Sequence, residues 1–275
     1  MTHLVLPSRA TRASIVGLLL AAAACGPATE SEDESVDVEQ ALDAFDVSQN
    51  EAALVVAAIA RLDPKSANPD LAAVKAAATA GLVFRPADCV TSTRKDNTVN
   101  YLLSGCVGPF KTGKLDGTLD VVFSVGASGL HALASARDLR AARAILDIDS
   151  EGSFSLDPDG ETRRLVVEAS GEGQGPRGHR IERAGEYTVT WNATEKCATF
   201  EGDFETRAGT RVFRTAVSDF ARCAGECPAA GGEIVHEKKD LGISIRITFD
   251  GSTVASWSSS RGKSGTIPLF CGAGS

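Results

Sequence analysis

From Val83 onward the apolar residues of this chain recur at every second position, and that period restricts the fold more than any other feature of the sequence. In LDVVFSV, Leu119, Val121, Phe123 and Val125 share one side; in EYTVTW, Tyr187, Val189 and Trp191 oppose Thr188 and Thr190. In ISIRITFD, Ile243, Ile245, Ile247 and Phe249 alternate with Ser244, Arg246, Thr248 and Asp250. Such alternation belongs to strands with one buried and one wet face. Short turn signals separate the runs: GASG at 126–129, DPDG at 157–160, AG at 208–209, DG at 250–251 and RGK at 261–263. Connections this short join antiparallel neighbours, and the helix-length crossovers of a parallel sheet do not occur between them. The expected fold class is mainly β (α+β): a long antiparallel meander or curved sheet.

Helical signals precede the strands. Ser48-Gln49-Asn50-Glu51 has the Ser-x-x-Glu form of a capping box, the apolar run AALVVAAIARL follows from Ala52 to Leu62, and Pro64 closes it. Asn68 suits an N-cap and Pro69 a first helical position, and DLAAVKAAATA then runs to Gly81, which suits a helix end. A shorter helix is expected over Val38–Phe45. Alanine leaves a thin face that admits close approach, so two or three Ala-rich helices are expected to pack on the sheet or plug its curve.

The N-terminus reads as an address. Residues 13–24 are apolar or small and follow Arg9 and Arg12, whereas a helix needs about 20 apolar residues to cross a bilayer. The stretch therefore has the parts of an export signal. Ala22-Ala23-Ala24-Cys25-Gly26 resembles the lipobox of bacterial lipoproteins, with Ala22 where leucine is usual. The resemblance implies cleavage before Cys25, a lipid on that cysteine and attachment to the outer membrane, on its periplasmic or surface face. The acidic stretch after it, with Glu30, Glu32, Asp33, Glu34, Asp37 and Glu39 and no basic residue, is expected to be an extended tether.

Setting Cys25 aside leaves an even six cysteines, which in an exported protein suggests disulfides. The turns narrow the fifteen possible pairings. The tip Lys95–Thr98 lies midway between Cys89 and Cys106, and Ala208-Gly209 lies near the middle of Cys197–Cys223. Cys227 and Cys271 bracket three turn signals and hence four strands, whose two ends can meet. The expected bonds are 89–106, 197–223 and 227–271. Cys223 and Cys227 are CxxxC, but with no histidine nearby and no second close pair a zinc site is not expected.

Removing the leader takes two arginines and no acid from 28 basic and 36 acidic residues, so the remaining chain carries 26 against 36. A surplus of acid excludes nucleic acid as a natural partner, because that binding rests on neutralising phosphates. GQGPRG matches G-x-G-x-x-G by letter, with Gly173, Gly175 and Gly178, yet a strand pattern follows where a phosphate-binding helix would start. Ser260–Gly265 overlaps S-x-x-K and K-S-G within one turn, unlike the separated motifs of penicillin-binding enzymes. Asp147–Gly152 begins like a calcium loop but has Pro158 where the bidentate glutamate belongs. His131, His179 and His236 are scattered, with no HExxH or GxSxG. No catalytic residue, metal or cofactor is expected.

The C-terminal pattern of Cys-Pro, Gly-Gly, ITFDGS and GKSGTIPLFCG, together with LLSGCVGPF and GPRG, resembles uncharacterised cysteine-containing lipoproteins of myxobacteria. That resemblance implies an address and a β-rich shape and carries no activity. The expected organisation is a signal at 1–24, acylated Cys25 with a tether at 25–40, helices at 41–81, a β body at 82–226 and a disulfide-closed meander at 227–275. The expected function is non-catalytic binding of an envelope protein or glycan partner. The alternative is a carrier holding a lipid or other apolar ligand in the curve of the sheet. A large apolar cavity would favour the carrier, and a filled interior the partner-binding protein.

Overall fold

The computed structural model describes residues 30–108, 113–127, 129–192, 197–209, 211–238 and 241–271, with side chains in the first helix from Ser35 onward. The leader and Cys25 lie outside the described residues. Two α-helices come first, α1 (Glu30–Ile59) and α2 (Pro69–Val83), then a 3-10 turn at Ala87–Cys89. The strands follow: β1 (Val90–Lys95), β2 (Thr98–Val107), β3 (Lys114–Gly126), β4 (Gly129–Ala141), β5 (Ala144–Leu156), β6 (Thr162–Gln174) and β7 (Arg180–Asn192). After them come β8 (Cys197–Ala208), β9 (Arg211–Cys223), β10 (Glu233–Lys238), β11 (Ile243–Phe249), β12 (Val254–Ser259) and β13 (Ser264–Pro268). These thirteen described strands pair antiparallel, in chain order, as one open meander.

The inner face of this sheet has a groove built from small residues. Ala134, Ser150, Ala169 and Gly185 stand in register across β4–β7, flanked by Ala132 and Gly152 on one side and Ala136 and Gly171 on the other. With so little side chain there, α1 lies close to the backbone. A methyl group on Gly152 would meet Val55, and one on Gly173 would meet Val47. Val38, Leu42, Phe45, Leu54, Val55 and Ile59 of α1 are buried in the resulting core. The later strands close over its other side: Phe45 packs edge-on against Phe220 at 4.4 Å between ring centroids, and Phe220 against Phe249 at 5.2 Å. The helix α2 covers β1–β3, with Phe84 at its end packed near Tyr101.

Several local expectations change. Helix α1 is continuous from Glu30, so residues 30–40 are helical although they fall within the tether expected over 25–40, and the short helix over Val38–Phe45 is part of α1. Acidic residues in a first helical turn complement the macrodipole, so the run suits a helix start as well as a tether. Ser48 and Glu51 are not a capping box. Ser48 lies mid-helix, its hydroxyl donates back to the Ala44 carbonyl at 3.0 Å, and Glu51 points into the core. The expected cap at Asn68 is present, its Oδ1 accepting from the Leu71 N–H at 3.0 Å. Helix α2 passes Gly81 and ends at Val83, because Gly81 serves close packing on Ala87 instead of a left-handed cap. Finally, the boundary drawn between 82–226 and 227–275 crosses one sheet, since Ile234 of β10 pairs with Val217 of β9.

Candidate functional site

The six cysteines meet in the pairing read from the turns. Cys89–Cys106, Cys197–Cys223 and Cys227–Cys271 have Cα separations of 5.2, 3.9 and 5.0 Å. The first two close hairpins, and the third ties the end of the chain after β13 to the segment after β9.

What the sequence did not reveal is the charge at the seat of α1. Asp37 is buried against Arg211 at 2.8 Å and Lys238 at 3.4 Å. Asp43 is fully buried and accepts from the Arg177 N–H at 2.9 Å, the His179 N–H at 3.2 Å and His179 Nδ1 at 2.9 Å. Asp46 meets Arg177 Nη1 at 3.2 Å, and Gln49 accepts from Arg222 at 2.9 Å. One turn further along, Glu51 pairs with Arg183 and Ser150 at the centre of the groove, all three buried. The groups that bind α1 thus come from β5, β7, β9, β10 and the β6–β7 loop. Burial pulls Arg183 down to about 10.

The glycine loop takes its role from this helix. Gly175 carries no side chain because any Cβ there would overlap Asp43, and Gly178 turns the chain at φ +95°. The loop is a cradle for a carboxylate of the same chain. The turn at 260–263 closes β12 to β13, with Ser259 N–H donating to the Lys263 carbonyl at 2.8 Å and Gly262 N–H to that of Ser259 at 3.0 Å.

The three histidines stand apart. His236 is buried, its Nδ1 2.7 Å from Thr215 Oγ1 and its ring stacked on Phe213 at 4.1 Å. Burial, and next Lys238, lower its pKa to about 3, so it is neutral. On the outer face His131 Nδ1 lies 3.3 Å from Ser153 Oγ and 3.9 Å from Glu151.

The outer face of β4–β8 is crowded with carboxylates. Glu151, Glu168, Glu186 and Asp203 are direct cross-strand partners in one row, an arrangement of like charges that weakens a sheet. Leu133, exposed, continues that row on β4. Leu133, Glu151, Glu168 and Glu186 of the row themselves line an open depression of ≈ 560 Å³, and a second of ≈ 510 Å³ is lined by Arg137, Asp147, Asp149, Glu172, Glu182 and Glu205 among others. Asp147 and Asp149 are already engaged, by the Asp138 N–H at 2.6 Å and by Arg137 at 2.7 Å. Asp157 and Asp159 lie in the β5–β6 turn with Arg164 and Thr162. No described helix is long and apolar enough to cross a membrane. No family model, curated protein or solved structure matches the chain.

Proposed function

We propose that this chain is a non-catalytic envelope lipoprotein, anchored to the bacterial outer membrane through a lipid on Cys25, that binds a protein or glycan partner with the outside of its sheet. One observation carries the choice over an apolar-ligand carrier: α1 occupies the concave face of the sheet, with Leu42, Phe45, Leu54, Val55 and Ile59 buried where a carrier would hold its cargo. The surface left for recognition is the outer face. Its Glu151–Glu168–Glu186–Asp203 row favours a partner presenting basic groups, with charge steering the encounter. The lipobox-like leader supports export, and three disulfides suit an oxidising compartment.

Native mass spectrometry of protein extracted from its own host tests the reading. The expected mass is that of a chain starting at acylated Cys25 with no apolar ligand retained. Stoichiometric co-purified lipid within the fold would favour the carrier instead. In parallel, Cys25→Ala should abolish the need for detergent or leave an unprocessed precursor, and Glu168→Lys with Glu186→Lys should reduce cross-linking to the partner.

A further inference from the structure

Helix α2 is apolar on every side, yet only one side is covered. Of its 15 residues Asp70 and Lys75 alone are charged. Ala72, Ala73, Ala76, Ala80 and Val83 are buried against β1–β3, on the inner side of the sheet. The opposite stripe, Leu71, Val74, Ala78 and Leu82, is exposed, Leu71 by 62% and Leu82 by 53%. A helix that is apolar all round normally lies buried, so this stripe is a face without its cover.

Cations frame it. Residues 61–95 hold six basic side chains, Arg61, Lys65, Lys75, Arg85, Arg94 and Lys95, against three acidic ones, in a chain where acids outnumber bases by 36 to 28. Among the described residues none of the six is ion-paired. Arg94 and Lys95 stand on β1, at an open edge of the sheet, where charge discourages a further strand from pairing. Two α2 faces brought together would set cation against cation, which opposes a symmetric contact. The complementary surface lies on the other side of the molecule. The Glu151–Glu168–Glu186–Asp203 row is exposed on the outer face, and exposed Leu133 ends it. Among the described residues Glu168 and Glu186 at its centre are not ion-paired either. Beside them the face is low, with Ser170 and Ala184 in register. The lengths agree: Leu71 to Leu82 spans about 16 Å at helical rise, and Leu133 to Asp203 crosses five strands, about 19 Å.

We propose that the α2 face of one copy docks on the acidic row of another, so that copies of this chain associate head to tail. The proposal rests on the reading of that row as a surface for a basic partner, and it names the partner. The two faces lie on opposite sides of one sheet, so a copy can use both at once. Unlike patches joined in this way build an open row of molecules unless the rotation closes it into a ring. Leu71, Val74 and Leu82 leave water, and the cations relieve the repulsion between neighbouring carboxylates.

Sedimentation velocity of the oxidised chain from residue 25 with Cys25→Ala, which has no acyl group to associate through, tests this independently of the anchor. The average size should rise with protein concentration at about 50 mM salt and fall at about 500 mM, where the charges are screened. Lys75→Glu with Arg85→Glu should weaken association about tenfold or more, as should Glu168→Lys with Glu186→Lys. Leu82→Ser should weaken it with charge untouched. All five residues are exposed, so the fold should survive. Mixing the two charge-reversed variants should restore association, since each supplies the sign that the other now lacks. Zero-length carbodiimide cross-linking of isotopically light and heavy wild-type chains should join Lys75 to Glu168 or Glu186 between copies. A chain that stays monomeric, self-association untouched by reversing the row, or a monomer that binds anionic vesicles through Lys75 would each overturn the proposal. If the chain is monomeric while the row variants lose a different basic partner in the host, only the self-association falls. If they lose no partner at all, the role of the outer face falls with it.

Discussion

The pairing of Glu51 with Arg183 can be tested by breaking it from either side. Both groups are within 1% of full burial, at the centre of the groove where α1 meets β7. The inner neighbours of Arg183 in register are Gly171 and Thr206, which offer no second carboxylate. Glu51→Gln therefore strands a guanidinium in the core, and Arg183→Met strands a carboxylate. Each should cost about 3–5 kcal/mol, the usual penalty for removing one partner of a buried pair. The double variant, Glu51→Leu with Arg183→Met, removes both desolvation costs and should fall within about 2 kcal/mol of the wild type. Urea unfolding followed by tryptophan fluorescence and far-UV circular dichroism gives the three differences, and the double-mutant cycle gives the coupling. A single variant costing under about 1 kcal/mol, or a double variant worse than either single, would refute the view that these charges stabilise each other more than their surroundings.

Two further outcomes follow from the same frame. Gly175→Ala should destabilise by about 1–3 kcal/mol, since the loop must move off Asp43, and hydrogen exchange should show the loss first in the β6–β7 loop and in α1 near Asp43. Replacing Cys227 and Cys271 by serine opens a loop with a sequence separation of 44, for which chain entropy suggests about 4 kcal/mol; the midpoint of urea unfolding should fall accordingly, with exchange rising first in β11–β13, and an unchanged midpoint would refute this.

The strands and the disulfides were legible because both depend on local information. Period-two alternation fixes which side chains face inward, and a turn midway between two cysteines brings their strand ends together whatever lies elsewhere. The seat of α1 was not legible for the opposite reason. Asp43 meets Arg177 and Asp37 meets Lys238 across 134 and 201 residues, so nothing near either acid marks it as buried. Ser48 and Glu51 had the right spacing for a cap, but a cap requires a chain break, and the docked residues before Ser48 supply continuous helix. The small inner residues of ALASA and EASGEG were visible as letters. Their meaning as a groove needed the register of β4–β7 and the position of a helix from another part of the chain. Even Val125, placed with Leu119, Val121 and Phe123 by period, is exposed because β3 runs past the core there.

The continuity of α1 also changes how the proposed lipid would hold the body. With an extended tether over 25–40, fifteen residues at about 3.5 Å each would allow a gap of about 50 Å between bilayer and body. With helix from Glu30, the five steps from Cys25 to Glu30 reach at most about 17 Å, and the seven steps to Asp37 add about 10 Å at helical rise. Asp37 is pinned by Arg211 and Lys238, so the ends of β9 and β10 must lie within about 30 Å of the acylated residue. Neutron reflectometry of the lipidated protein on a supported bilayer measures the gap. A protein layer beginning within about 30 Å of the headgroups is expected, and Asp37→Asn with Arg211→Gln, which unpins the first turns, should widen it. A solvent gap of about 40 Å or more in the wild type would mean that the first turns of α1 unwind at the membrane, and the helix-borne anchor would have to be abandoned.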